Sequence, residues 1–322
     1  MLQEKCECKI INISDSNTQH SIDYNALLPT ANIQMEDIPQ MKALAQKQKE
    51  RQGMDVLPLD LYEQMLENSL RNGDFRTSFW LTAMSNFGLR YSDVVKLRRI
   101  DLVDEHNHIR DSVLLQEKKT SKQRVVFIND SVKMALLMLL WNGDFAPTDY
   151  LIVSKGRRMG YEVETYTAEN GKQKAVRRNG RLVYKVDAFG RKIPKPLSRC
   201  QSEKIMKDII VENLGYALKN DRRCIDTPDV IYKISTHSIR KLYGKAVTDA
   251  FIRNFDSDLA YAHAAALSFL SQDFGHSSEA MTLHYSKDFE ELKRQINMQM
   301  NLGIEVLRPY FEAEKEKFLS KG

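Results

Sequence analysis

The chain has 322 residues, 42% of them hydrophobic and 28% charged, with a formal net charge of +5 and a pI near 8.8. That length is enough for about two domains with real cores. No apolar run approaches the roughly 18 residues a membrane span needs, no signal peptide is read at the start, and Cys6-x-Cys8 has no second ligand pair to make a zinc site with Cys200 or Cys224. The expectation is a cytoplasmic protein with reduced thiols and no membrane association. The modest excess of positive charge matters less than where it lies.

In chain order, the first 40 residues mix a short β-like run, Cys8 to Ile13, with polar loop, and Thr30 to Gln52 is a charged, helix-forming stretch. The boundary is set at residue 55, with a short segment over 1–55 and the main domain over 56–322. Leu59 to Arg71 carries apolar residues three and four apart, which predicts a helix, as does Val132 to Trp141. Between them Phe87-Gly-Leu-Arg-Tyr-Ser-Asp-Val-Val-Lys-Leu97 reads as helix, with Arg90 just after a Gly-Leu break. Val113 to Ile128 holds two β-prone runs around a short polar turn, a hairpin with Lys118, Lys119, Lys122 and Arg124 near its tip.

The densest basic stretch runs from Lys155 to Arg199 and includes Arg157 and Arg158. Within it, residues 156–196 read as an inserted set of short β-segments punctuated by Asn-Gly and Phe-Gly turns. A flap contacting nucleic acid and a solvated surface hairpin both fit this pattern. Ser202 to Leu214 and Ser238 to Phe255 return to helical spacing, and residues 287–318 predict a C-terminal helix with Phe289, Leu292, Ile296 and Met300 on one side. The fold class expected is mainly α with a small antiparallel β-sheet, an α+β arrangement.

The chemistry concentrates in the last third. His237-Ser-Ile-Arg240 is followed 36 residues on by His276, preceded by Gly275, and nine residues further by Tyr285. A phosphodiester repels nucleophiles, so an enzyme attacking one must neutralise its non-bridging oxygens, and arginine does this with a planar fork that stays charged. A tyrosine phenol forms a covalent phosphoryl intermediate when cations stabilise its phenolate and a base takes its proton. The ordered set points to covalent phosphoryl transfer on DNA. Tyr243, Tyr261 and Tyr310 are rivals for the nucleophile, but only Tyr285 has the Gly-His pair at that distance.

These motifs resemble those of the tyrosine recombinase, or phage integrase, family. Gly-Leu-Arg90-Tyr-Ser-Asp is similar to its first arginine box, His237-Ser-Ile-Arg240 to its His-x-x-Arg box, and Gly-His276 with Tyr285 to its nucleophile box. The Lys118–Ile128 hairpin resembles its lysine-bearing turn, in which Lys119 matches the catalytic lysine, with Lys118 and Lys122 as neighbours that a hairpin could also present. The resemblance covers roughly residues 55 to 290, and the span from Arg240 to His276 is about ten residues longer than usual. His263, in that span, is read as packing or surface.

The resemblance implies catalytic roles for six residues. Arg90 and Arg240 would grip the scissile phosphate, and His237 would be a general acid/base or phosphate contact. Lys119 would protonate the departing 5′ oxygen, His276 would orient the site, and Tyr285 would attack to give a 3′-phosphotyrosine. Lys122, Arg124, Arg157, Arg158 and Lys241 are expected DNA contacts. No cofactor and no metal are implied. The partners are double-stranded DNA at specific recombination sites, other copies in a homo-tetramer on DNA, and an accessory bending or directionality factor. The implied activity is site-specific recombination or integration for a mobile element or phage; a type IB topoisomerase-like or dimer-resolving enzyme, or a catalytically idle DNA-binding regulator, are the alternatives. About 55 residues before the main domain are few for the helical domain with which most relatives complete a clamp.

Overall fold

Apolar residues three and four apart make α1 (Leu59–Arg71), which buries Leu61, Tyr62, Met65, Leu66 and Leu70. The computed structural model describes residues 54–117, 123–154, 160–186, 190–224, 232–254, 259–274 and 287–320. The expected 1–55 segment lies almost wholly outside them. Just ahead of α1 the chain is stitched to the far end of the sequence, the Asp55 amide donating to the Lys233 carbonyl at 2.9 Å and the Leu57 amide to that of Ser238 at 3.3 Å.

α2 (Phe75–Phe87) is the central helix. Its residues from Thr77 to Phe87 are all buried, so it has no polar face to give to water. Asp74 caps its start, accepting from the Thr77 amide at 3.4 Å and hydroxyl at 2.9 Å. Gly88 ends it with φ +57°, the left-handed conformation that glycine enters without strain. The ring of Tyr243 lies against that glycine so closely that a Cβ there would overlap it.

Two short helices, α3 (Tyr91–Val94) and α4 (Arg99–Leu102), lead to the hairpin β1 (Ser112–Gln116) and β2 (Gln123–Phe127). The strands are antiparallel, in register from Ser112↔Phe127 to Gln116↔Gln123. α5 (Asp130–Trp141) starts at Asn129, whose side chain accepts from the Val132 amide at 3.2 Å.

The inserted segment forms two two-stranded ladders from β3 (Thr165–Thr167), β4 (Gln173–Ala175), β5 (Arg177–Arg178) and β6 (Arg181–Leu182), with isolated bridges between them. α6 (Arg199–Lys207) opens with a reciprocal Ser198–Gln201 cap and runs into a π-helical turn, Asp208–Asn213. α7 (Thr236–Asn254), α8 (Leu259–Asp273), α9 (Lys287–Met300) and α10 (Ile304–Leu319) complete the chain. The architecture is mainly α with small antiparallel sheets, as the sequence pattern indicates.

The C-terminal helix expected over 287–318 is two helices. The chain breaks at Asn301 and Gly303, whose φ angles are +29° and +78°. α10 then packs on this chain's own α5, with Trp141 stacked on Phe311 and Phe318 at 5.3 Å between ring centres in each case. α9 closes a second core with α7 and α8, in which Ile296 meets Tyr243, Val247, Phe251 and Phe269. Among the described residues no helix is long and apolar enough to cross a membrane.

Gly88→Ala tests the hinge between α2 and Arg90. Left-handed strain and overlap with the Tyr243 ring add to a loss of at least about 2 kcal/mol, read as a lower urea midpoint with an unchanged m-value.

Candidate active site

Arg90 follows the left-handed glycine directly. It is the extended residue ahead of α3, with φ −68° and ψ 148°, so its side chain leaves the end of the central helix and not a helix face. Its guanidinium is paired with Glu117, which is 2% exposed. The other oxygen of Glu117 lies 3.9 Å from Arg124.

Arg124 corrects an expectation. Read from the sequence as a hairpin-tip contact for DNA, it is 5% exposed and turned inward. Alternation along β2 sends it to the inner face with Val126, while Gln123 and Val125 face outward. One of its nitrogens pairs with Asp273 and also donates to the Phe87 carbonyl at 2.8 Å; the other donates to the Gly88 carbonyl at 3.3 Å. The latter two are free carbonyls at the C-terminus of α2, where a cation is favoured.

Asp273 is the counter-ion of this interior. Its carboxylate also meets the Lys293 ammonium at 2.9 Å and accepts from the Tyr243 hydroxyl at 3.0 Å. Burial works against its charge, but Arg124 and Lys293 outweigh it and hold its pKa below the ordinary carboxylate value. Burial likewise opposes the charge on Arg124, and Asp273, Tyr243 and Glu117 more than offset it. The Tyr243 phenol is pushed well above its usual pKa by burial and by Asp273, which makes it a structural hydroxyl.

Arg240 is different. It projects from the second turn of α7, is 4% exposed, and stacks its guanidinium on the Phe274 ring at 4.1 Å from the centre. Among the described residues its Nη1 is buried with no hydrogen-bond partner. Burial, and then the positive charges of Arg124 and Arg90, push its pKa down to about 10, a penalty on its charged form on the order of 3 kcal/mol. Glu117 and Asp273 pull the other way without cancelling this.

His237 lies one turn before Arg240 and is exposed in the otherwise buried first turn of α7, its amide donating to the Ser235 hydroxyl at 3.2 Å. Its ring loses part of its water to the surrounding protein. The charges of Arg240, Lys241, Arg199 and Arg90 add to that loss, and together they lower its pKa and favour the neutral, proton-accepting imidazole. Lys241 is half-buried and its ammonium donates to the Met54 carbonyl.

The fold thus brings Arg90, His237 and Arg240 into one electrostatic neighbourhood from two distant stretches of chain. Lys119, His276, Tyr285, Lys122, Arg157 and Arg158 lie outside the described residues. The helices on either side of residues 275–286 are nonetheless tied together, because Asp273 ends α8 and Lys293 sits two turns into α9. Sequence reasoning missed Glu117, Asp273 and Lys293. The available signal was an acid at the end of an apolar helix, which has to meet a cation if it is buried.

Among the described residues no three His, Cys, Asp or Glu side chains come together as metal ligands. No protein-family model matches the chain, and no curated protein does. Among solved structures, the crystal structure of XerA recombinase aligns over 74% of this chain with a TM-score of 0.39 and 18% identity, and this chain covers 64% of that one.

Two measurements probe this interior. Arg124→Ala strands buried carboxylate charge and lowers stability by about 3–5 kcal/mol. The comparison is Arg71→Ala, which removes an exposed pair with Glu67 and costs less than about 1 kcal/mol. By NMR, the His237 imidazole titrates below 6.5, and its midpoint rises in Arg240→Met because one repelling cation is gone. Since the unfolded chain takes up that proton first, stability falls as pH drops from 6.5 through the folded midpoint.

Proposed function

We propose that this chain is a site-specific DNA recombinase that cuts and rejoins strands through a 3′-phosphotyrosine. The observation that carries the reading is Arg240. A buried guanidinium whose Nη1 has no hydrogen-bond partner among the described residues, beside a second arginine and a histidine of lowered pKa, is costly on its own and favourable once an anion arrives. A phosphodiester supplies that anion, and more charge develops on it in the transition state.

In this reading the Tyr285 oxygen attacks phosphorus, the bond to the 5′ oxygen breaks, and the tyrosyl ester forms. The phenolic proton passes to a base, a role assigned to His237, whose lowered pKa favours proton acceptance, and Lys119 supplies a proton to the 5′ oxygen. The ester keeps the bond energy, so a 5′-hydroxyl from another strand reverses the step and completes an exchange without ATP. Arg90 and Arg240 hold the non-bridging oxygens throughout. Glu117 limits the free charge of Arg90, leaving Arg240 as the less compensated of the two.

The test is covalent trapping. Wild type incubated with suicide duplexes from the element's own ends forms a denaturation-resistant protein–DNA band, and Tyr285→Phe does not. A band in Tyr285→Phe removes the mechanism. Arg240→Met lowers the rate of adduct formation by about 10²–10³-fold while its urea midpoint stays at or above that of wild type, since the substitution removes a buried, unsatisfied cation.

A further inference from the structure

The inserted segment from Gly160 to Pro196 holds nine Lys and Arg against four Asp and Glu, an excess equal to the formal net charge of the whole chain. The remaining residues are therefore balanced. None of its described residues from 161 to 196 is buried, so it has no core of its own.

Its strands nonetheless form one connected ribbon. β3 pairs with β4, the Glu164 amide donates to the Val183 carbonyl at 2.9 Å, and the Glu162 amide donates to that of Ile193 at 2.9 Å. β5 and β6 are closed by Asn179-Gly180, both left-handed at φ +51° and +75°, the type I′ turn that holds a tight hairpin. Arg177 locks the turn by donating to the Gly180 carbonyl at 3.0 Å.

Alternation sorts the side chains onto two faces. The pairings Val163↔Tyr184, Tyr161↔Pro194 and Val186↔Lys192 define one face, where the Lys192 ammonium sits 4.6 Å from the Tyr184 ring centre. The pairings Tyr166↔Lys174 and Arg178↔Arg181 belong to the other, with Lys195. There Glu162 is engaged with Lys185 at 3.2 Å, whereas Lys174, Arg178, Arg181 and Lys195 have no ion pair among the described residues.

Arg178 and Arg181 stand directly opposite each other at the hairpin end. Like charges in that position repel and weaken a sheet, and a ligand with anionic oxygens reverses the sign of the interaction.

The ribbon is rooted beside the candidate active site. The Leu197 amide donates to the Ile152 carbonyl at 3.0 Å, and the Tyr91 hydroxyl, next to Arg90, donates to the Leu197 carbonyl. Arg199, two residues on, is among the charges that act on His237.

We propose that the ribbon face bearing Lys174, Arg178, Arg181 and Lys195 docks on the phosphate backbone of duplex DNA beside the strand being cut. The proposal rests on the reading of the chain as an enzyme acting on DNA. A two-stranded ribbon is narrow enough to follow a duplex groove. The opposed arginines supply the grip, and Tyr166, 52% exposed on the same face, supplies a flat surface for the duplex.

The experiment is fluorescence anisotropy with a fluorescein-labelled mixed-sequence duplex, titrated with NaCl, using the full chain carrying Tyr285→Phe. Adding Arg178→Ala and Arg181→Ala weakens binding and makes the slope of log affinity against log salt shallower by about 2, at about 0.9 for each phosphate that is no longer neutralised. Adding Lys315→Ala and Lys317→Ala, the same reduction of charge on α10, leaves the slope unchanged. An unchanged slope in the arginine variant, an equal change in the lysine control, or tighter binding to single-stranded RNA than to the duplex overturns the proposal. If the arginine pair proves dispensable while wild type still forms the Tyr285 adduct, the docking surface falls and the enzymatic reading stands. If duplex binding requires the pair but no adduct forms, the reverse holds.

Discussion

A buried guanidinium must find enough anion and carbonyl around it to replace its water, and Arg124 finds Asp273, Glu117 and the last carbonyls of α2. Each partner belongs to a different part of the chain: Asp273 ends α8, Glu117 follows β1, and Phe87 and Gly88 end the central helix. One side chain therefore fixes how the hairpin, the central helix and the C-terminal helices meet. Breaking such a network costs far more than its net contribution, because any member left alone keeps its desolvation penalty. The pairing is also specific, since the central helix can present its C-terminal carbonyls to Arg124 only if Gly88 turns it away in the left-handed conformation against Tyr243.

Beside this ion-paired interior lies a less compensated cation. Arg240 is as buried as Arg124 but has no carboxylate partner among the described residues, and its aromatic neighbour Phe274 offers only a weak attraction in place of hydration. The two arginines are the same chemical group with opposite electrostatic balances: Asp273 and Glu117 hold one charged, and burial beside Arg124 and Arg90 makes the charge of the other expensive. The charge of Arg240 is costly where it stands, while the ion pairs beneath hold the surrounding backbone in place. The basic ribbon repeats this logic at the surface, where a rigid turn opposes two arginines without an acid between them.

Much of this was legible in the order of residues, because the relevant signals are local. Three-and-four spacing marked α1 and α5, alternation and a polar turn marked the β1–β2 hairpin, and Asn-Gly marked the turn that closes β5 and β6. The types and order of Arg90, His237 and Arg240 carried a chemical meaning before any geometry, since arginine forks and an imidazole are what a phosphodiester requires. The break at Asn301 and Gly303 was also available locally, but the continuing apolar pattern concealed it. Short apolar spacing persists across a turn when both helices bury the same side.

The sequence by itself determined the helical class and the hairpin, because each depends on neighbours within a few positions. Only the tertiary structure decided which cations are compensated. Arg124 sits among the basic residues of a hairpin that looks solvent-facing, and what makes it an interior residue is Asp273, 149 positions away. Nothing local marks Arg240 as lacking a carboxylate partner among the described residues either. Whether a charge is satisfied depends on the dielectric and the counter-charges that folding places around it, and those come from segments that are remote in sequence.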